Sequence, residues 1–493
     1  MSLIKTLSEH FTKERLEGFF MGKWYPVLTG ALVLLEHLFG LELWLGSLNV
    51  LLASLSLLVC TSTRPLITFV ASFVFQLSVK NSPAIPAVSD YLFTMPRLLV
   101  IIVLAVIFVG SAVYFSVKNR IFSGVNIRTP LLVPLFVLSL GFVMNGAFSG
   151  VWKPSSLVFG LCEAACFLVL FMLFYLGLRG EDSEELISYF VFSSAVVAAV
   201  LILEVGACYL TLYNGTKESM LFGWGIWNTA GVSLAVLIPV CFLGFYRLAE
   251  RGRWQGWLYL ALGLLTFFAA ALTQSRNALL VGAIVTFAGF VIFSFIGKYR
   301  LIFRTVTAVG AVLSIPLAIV LWDRLSPMLL TFFCDNGRYE LWGMGIDNFL
   351  SSPVFGVGFF GADFGTFFTA EFLPTMAHNT VVQLLSGMGV VGLLCYAFYR
   401  AATAVPFIKH PTVAKSFIGL SVLVLLAESM LDNFVFYFLP TLHYTVALAV
   451  VFTLADKEER EREKEGSADT ESLGGASEQK ETEGELDEPS TAL

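Results

Sequence analysis

Residues 335–392 read DNGRYELWGMGIDNFLSSPVFGVGFFGADFGTFFTAEFLPTMAHNTVVQLLSGMGVVG. The chain on both sides is nearly continuous apolar sequence, so this is the longest polar-interrupted interval before the C-terminal tail. It contains a helix-like run, a Gly/Phe loop and a His-Asn pair at the mouth of the next hydrophobic run. A bilayer is crossed by about 20 apolar residues in a helix. By that measure, working outward, candidate spans fall at 25–41, 42–60, 65–79, 97–117, 129–149, 157–178, 187–213, 225–247, 254–273, 276–297, 301–322, 378–400, 415–431 and 434–455. The third is short and the first two are barely separated, so the expected count is 12–14. With 57% hydrophobic and only 13% charged residues, and a mean hydropathy of +0.81, a chain of this length has too much apolar surface for a soluble protein. The predicted fold class is an all-α polytopic membrane protein.

Positive charge gives an orientation, because cytoplasmic loops are enriched in Lys and Arg. With the N-terminus inside, the inner gaps hold Arg64, Lys118, Arg179, Arg247, Lys298, Arg400 and their basic neighbours. The outer gaps hold the sparser Lys80, Arg97, Lys153, Lys217, Arg276, Arg324 and Arg338. Both termini are therefore expected inside. The chain divides into a cytoplasmic amphipathic N-terminus (1–24), spans (25–322), an extracytoplasmic loop (323–377), further spans (378–455) and an acidic, disordered cytoplasmic tail (456–493). Residues 1–23 lack a small-residue cleavage site and do not read as a signal peptide. The net charge of −6 is skewed by the tail, and no basic tract suits nucleic acid. Seven cysteines include no CxxC. Cys162 and Cys166 share a helix face and are read as a buried thiol pair, not a metal site.

Within the loop, Asn336 is placed to cap a helix whose Tyr339, Trp342, Ile346 and Phe349 share one face, ended by Ser351, Ser352 and Pro353. Two matches to GxGxxG follow, Gly356 to Gly361 and Gly387 to Gly392. A dinucleotide fingerprint needs a preceding strand and a following helix with an acidic residue beyond. The first copy sits in a loop and the second within a hydrophobic helix, so neither reads as a nucleotide site. Close helix packing accounts for the second; backbone freedom or close substrate approach accounts for the first.

Three residues stand out by position. Arg276 begins a span in Thr273-Gln-Ser-Arg-Asn277, Arg338 opens the loop helix, and His378 begins the next span in Ala377-His-Asn-Thr380. Each has a bland reading: a headgroup contact, an ion pair with Glu340 or Asp347, and a helix cap. Together, two arginines and a histidine on one predicted face suit a phosphorylated lipid. Arginine presents a planar fork to phosphate oxygens, and histidine accepts a proton near neutral pH. The intramembrane acids Glu36, Glu42, Glu163, Glu204 and Glu428, with Asp432 at a span end, are the feature a transporter would require. They form no paired pattern, and no inverted repeat is visible.

These motifs resemble the O-antigen ligase and polymerase superfamily of bacterial membrane glycosyltransferases. The resemblance rests on Ser275-Arg276-x-Ala278-Leu279-Leu280, Arg338-x-x-x-Leu341-Trp342, Pro353-x-x-Gly356-x-Gly358, and His378-Asn379 followed by Gly387 to Leu394. A weaker match is Asn228 in Trp227-Asn-Thr-Ala230; the whole covers roughly residues 225–400. The resemblance implies a bacterial cytoplasmic-membrane enzyme working at the extracytoplasmic face, without metal or other cofactor. It would transfer a glycan from an undecaprenyl-diphosphate carrier to a hydroxyl on a lipid or glycan acceptor. By carry-over, Arg276 and Arg338 bind the diphosphate and His378 serves as general base. Asn228, Asn379, Gly356 and Gly358 are candidate cavity residues. The alternatives are a repeat-unit polymerase or protein glycosyltransferase of the same superfamily and, from another class, a flippase of the lipid-linked glycan.

Overall fold

The computed structural model describes residues 12–72, 94–215, 227–320, 322–323, 326, 337–362, 377–409, 411–433, 436 and 438–483. Among these residues the regular structure is helical, in the order α1 (Lys13–Met21), α2 (Trp24–Phe39), α3 (Glu42–Val59), α4 (Leu66–Ala71), α5 (Met95–Lys118), α6 (Leu132–Val143), α7 (Pro154–Leu178), α8 (Ser183–Leu212), α9 (Trp227–Glu250), α10 (Gln255–Leu272), α11 (Arg276–Phe295), α12 (Arg300–Val320), α13 (Arg338–Ser351), α14 (Thr380–Lys409), α15 (Val413–Ser429) and α16 (Phe438–Glu483). Eight of them are long and apolar enough to cross a membrane, or nine if the bent pair α1–α2 is one span. The protein is an all-α polytopic integral membrane protein, as its composition predicts.

Helix α9 is the axis of the bundle. It is apolar all round, and from Thr229 to Phe245 every residue is buried. Such a helix belongs in a core, and α8, α10, α11 and α15 pack against it. At the other extreme α5 and α12 present Val106, Val109, Val312 and Ile315 outward, each more than half exposed, as lipid-facing helices do.

The structure corrects several boundaries. Predicted span 129–149 contains only the 12-residue helix α6, too short to cross alone. Predicted span 65–79 is described only as far as Ser72, with helix α4 ending at Ala71. Span 378–400 extends to Lys409, because Ala401-Ala-Thr-Ala-Val405 continues the apolar pattern. Arg400 is thus inside a helix and not in a gap. Its guanidinium stacks over the rings of Tyr396, Tyr399 and Tyr444 at 4.6, 5.3 and 4.9 Å, a desolvated cation held by π-faces. Cys162 is exposed, so it forms no buried pair with Cys166. The start of the tail continues α16 as helix to Glu483. Its first turns are tied to the bundle by Lys415–Glu458 at 2.7 Å and Lys409–Glu459 at 3.6 Å.

The basic residues assigned to inner gaps gather at one end of the bundle. There Arg64 reaches Glu181 at 2.7 Å and the carbonyl of Met21 at 3.2 Å. Arg247 meets Glu184 at 2.5 Å. Arg276 and His378 begin helices that run from the opposite end.

Candidate functional site

The site is assembled where α9, α11, α13 and α14 begin and α15 ends. Helices α11 and α15 run antiparallel: Phe293 and Phe417 pair with ring centroids 5.5 Å apart at one end. Seventeen residues at 1.5 Å per residue, about 25 Å, then carry α11 back to Arg276. Eleven residues forward along α15, about 17 Å, lead to Glu428, and the turn after the helix carries Asp432 further toward the level of Arg276. Ser421 on α15 donates to the Val236 carbonyl on α9, which likewise brings Asn228 level with Glu428. Gly231 on α9 lets the Thr273–Ala278 turn approach closely; a Cβ there would lie 2.8 Å from both the Thr273 hydroxyl and the Ala278 methyl. Asn228 and Arg276 are thereby held on one wall. Both are half-buried.

His378 is held by a web of hydrogen bonds between the start of α14 and the end of α15. Its Nδ1 lies 2.7 Å from Asp432 Oδ1, and that oxygen also accepts from the Asn433 backbone N–H at 2.9 Å. Asn379 caps α14: its Oδ1 accepts from the N–H groups of Val381 and Val382 at 2.9 and 3.1 Å. Its Nδ2 donates to the Met430 carbonyl at 3.0 Å. Thr380 donates to the Ser429 carbonyl at 2.8 Å. Gln383 Oε1 accepts from Ala377 N–H at 2.7 Å and from Asn433 Nδ2 at 3.1 Å. This web holds His378 at φ 50°, in the left-handed region that a non-glycine residue rarely enters. The imidazole side chain is 27% exposed while the Asp432 side chain is 3% exposed. The buried carboxylate therefore orients a ring whose other nitrogen is free to meet a substrate.

Arg338 opens α13 after Gly337, which takes φ 82° as the N-cap; the expected cap Asn336 lies outside the described residues. Arg338 is half-buried and stands in electrostatic range of Glu428 on α15. The aromatic stripe of α13 is open to either the membrane surface or packing on the spans, and the residues that dock lie beside it. Leu341 and Gly345 are buried, and Leu341 packs with Ala377 and Val382. Tyr339 is 63% exposed and Ile346 39% exposed. The docking face is chosen by contact with the first turn of α14, one step round from the aromatic stripe.

The two glycine motifs prove to be partners. The chain after α13 lies in a break in α14, where Gly389 takes φ 65° and ψ −162°. Val357 and Gly358 donate to the carbonyls of Ser386 and Gly387 at 2.8 and 3.0 Å. Val390 and Val391 donate to those of Pro353 and Val354 at 2.9 and 3.2 Å. Gly356, at φ 68°, abuts the backbone of Gly387 and Met388. Asn145 and Ser156 complete the joint by accepting from the N–H groups of Phe359 and Phe360 at 3.2 and 3.1 Å. Gly356 and Gly358 are thus buried in a packed joint that fixes where α13 starts from its far end. The Gly/Phe run beyond Ala362 lies outside the described residues.

The structure brings His378, Arg338, Arg276, Asn228 and Asn379 to one end of the bundle. It adds Asp432 and Glu428, which the sequence reading noted only as membrane acids, and Gln383 and Asn433, which it did not single out. The available signal was Glu428-x-x-x-Asp432-Asn433, acids one helical turn apart at a span end, where charge is expensive and marks function or pairing. No curated protein matches the chain. Residues 260–397 match a family model described as O-antigen ligase. That range includes Arg276, Arg338, Gly356, Gly358, His378 and Asn379, begins after Asn228 and ends before Asp432. Through this segment, less than half of its length, the chain is similar to the O-antigen ligase family of polysaccharide biosynthesis.

Proposed function

We propose that this protein transfers a glycan from an undecaprenyl-diphosphate carrier to an acceptor hydroxyl at the extracytoplasmic face of the bacterial cytoplasmic membrane. The observation that carries the reading is the His378–Asp432 pair, 2.7 Å apart, at the same end of the bundle as Arg276 and Arg338.

With Nδ1–H donated to Asp432, Nε2 of His378 is the acceptor nitrogen. It takes the proton of the acceptor hydroxyl as the oxygen attacks the anomeric carbon of the donor glycan. The bond between that carbon and the diphosphate oxygen breaks, and the electron pair leaves on the diphosphate. Arg276 and Arg338 meet the developing charge; one preorganised contact of this kind is worth about 3–4 kcal/mol of barrier. The lipid–diphosphate linkage supplies the driving force.

Reconstitution with a lipid-linked oligosaccharide tests the reading. A single transfer to a second acceptor is the expected product, whereas a ladder of repeat lengths from one substrate identifies a polymerase. Movement of the lipid-linked glycan across the bilayer without a new glycosidic bond identifies a flippase and rejects the proposal. Wild-type turnover in both Arg338→Ala and His378→Ala rejects the site assignment.

A further inference from the structure

A groove of about 620 Å³ runs between α5 and α7, far from His378. Val109, Val113 and Val117 form one wall, each more than half exposed. Val169 and Leu173 form the other wall, and Leu442 of α16 the floor. The second wall is wider than a regular α-helix gives, because Ala165–Val169 winds as a π-helical turn, a feature frequent at functional sites. Thr445 of α16 holds that turn by donating to the Cys166 carbonyl at 3.3 Å. Lys118 donates to the Leu58 carbonyl at the close of α3, at 2.9 Å, so the polar mouth of the groove lies at the Arg64 end of the bundle. From Phe108 to Arg120 the groove follows twelve residues of α5, about 18 Å. Half of a hydrocarbon core about 30 Å thick is about 15 Å, so its depth matches one leaflet.

Arg120 stands at the mouth. The N–H groups of Arg120 and Ile121 donate to the carbonyls of Val117 and Ser116 at 3.2 and 3.1 Å. This helix-ending motif puts one residue in the left-handed region, where glycine is usual. Here that residue is Arg120, at φ 48°. The helix dipole does not require it, because Lys118 already places a cation in the last turn of α5. Among the described residues no hydrogen bond or ion pair holds the Arg120 guanidinium or the Ser123 hydroxyl. Both line the groove, and no acidic side chain does. A strained backbone is thus kept at a residue whose side chain has no partner within the protein.

We propose that the groove between α5 and α7 seats one anionic glycerophospholipid of the leaflet at that end. Its chain lies along Val109, Val113 and Val117 against Val169 and Leu173. Its phosphate takes the guanidinium fork of Arg120 and the hydroxyl of Ser123. The net negative headgroup meets an uncompensated cation, so phosphatidylglycerol is preferred over zwitterionic phosphatidylcholine. The site is separate from the glycan-transfer site and needs no transfer to be seen.

The experiment uses the full chain in neutral detergent, with phosphatidylglycerol, phosphatidylcholine or glycerol 1-phosphate added. Native mass spectrometry counts bound lipids, and thermal unfolding reads their effect. The wild type is expected to hold one more phosphatidylglycerol than phosphatidylcholine. Its melting should rise by about 5 °C at a hundredfold excess of phosphatidylglycerol over Kd, and should not respond to glycerol 1-phosphate, which has no chain to seat. Arg120→Gly suits the left-handed turn, so without lipid it should melt at or above the wild-type temperature. Its Kd for phosphatidylglycerol should be about tenfold weaker, the loss of one charged contact. Arg120→Lys should retain most of the preference. Val113→Trp fills the groove, leaves Arg120 in place and should lose the extra lipid. Equal binding of phosphatidylglycerol by wild type and Arg120→Gly, equal response to the two lipids, or a response to glycerol 1-phosphate as large as that to phosphatidylglycerol overturns the proposal. So does lipid-free melting of Arg120→Gly well below wild type, since the arginine would then be held for the fold.

Discussion

Gly389→Ala is the sharpest test of how the site is held. Gly389 combines φ 65° with ψ −162°, a region that is essentially glycine's own and costs a side-chain-bearing residue about 1–3 kcal/mol. An added Cβ would also run into the Val354 carbonyl and the Gly356 nitrogen. Relief of that clash separates the loop from the break in α14 and removes the bonds from Val390 to Pro353 and from Val391 to Val354, at about 1 kcal/mol each. The total is about 3–5 kcal/mol. At about 2 °C per kcal/mol for a large chain, the midpoint of thermal unfolding in detergent should fall by about 6–10 °C. Because the joint fixes the far end of α13, turnover should fall with it, by about 10²-fold for a displaced Arg338. Gly356→Ala breaks the same joint from the other side, at φ 68°, so the double variant should lose much less than the sum of the two. Gly343→Ala, in the same region but with nothing within 4 Å of its added Cβ, is the control and should be neutral or slightly stabilising. Wild-type melting of Gly389→Ala, or fully additive losses in the double variant, would refute the shared joint.

Further outcomes concern single contacts. Asp432→Asn should lower turnover by about 10²–10⁴-fold, the usual contribution of an acid–base group, with donor binding nearly unchanged; a matching loss of donor affinity would mean that Asp432 acts on the diphosphate. Arg276→Lys and Arg338→Lys keep the charge and lose the planar fork, so each should still slow transfer substantially in a steady-state assay with lipid-linked oligosaccharide. Arg64→Leu leaves Glu181 buried and unpaired at the far end of the bundle, which should destabilise by about 3–5 kcal/mol without changing the KM for donor, as thermal unfolding and kinetics on the surviving folded protein would show.

The spans were legible because apolar runs leave no other solution in a bilayer, and α9 shows how far that goes: its uniform apolarity reads as core before any contact is known. The error over α6 came from the same source, since an apolar run such as 129–149 says nothing of the turn that ends its helix at Val143. Arg276, Arg338 and His378 were found because they share a predicted face. Asp432 was seen only as one acid among several, because its partner is 54 residues away and local pattern carries no trace of that distance. The glycine motifs were read as two unrelated signals. Their joint is made of backbone hydrogen bonds, to which side-chain periodicity is blind. The stripe Tyr339, Trp342, Ile346 and Phe349 was correctly helical, but which side of that helix docks is decided by contact of Leu341 with Ala377 and Val382, which local pattern does not record.

The joint between the loop and α14 also sets a rule of length. The run Pro353–Phe360 and the run Ser386–Val391 meet residue for residue through four backbone hydrogen bonds, with a glycine required at φ 65–68° on each side. Inserting or deleting one residue within either run would put a Cβ-bearing residue where only glycine fits and shift every donor off its acceptor. Related chains should therefore keep the spacing of these two short runs even where their side chains have changed.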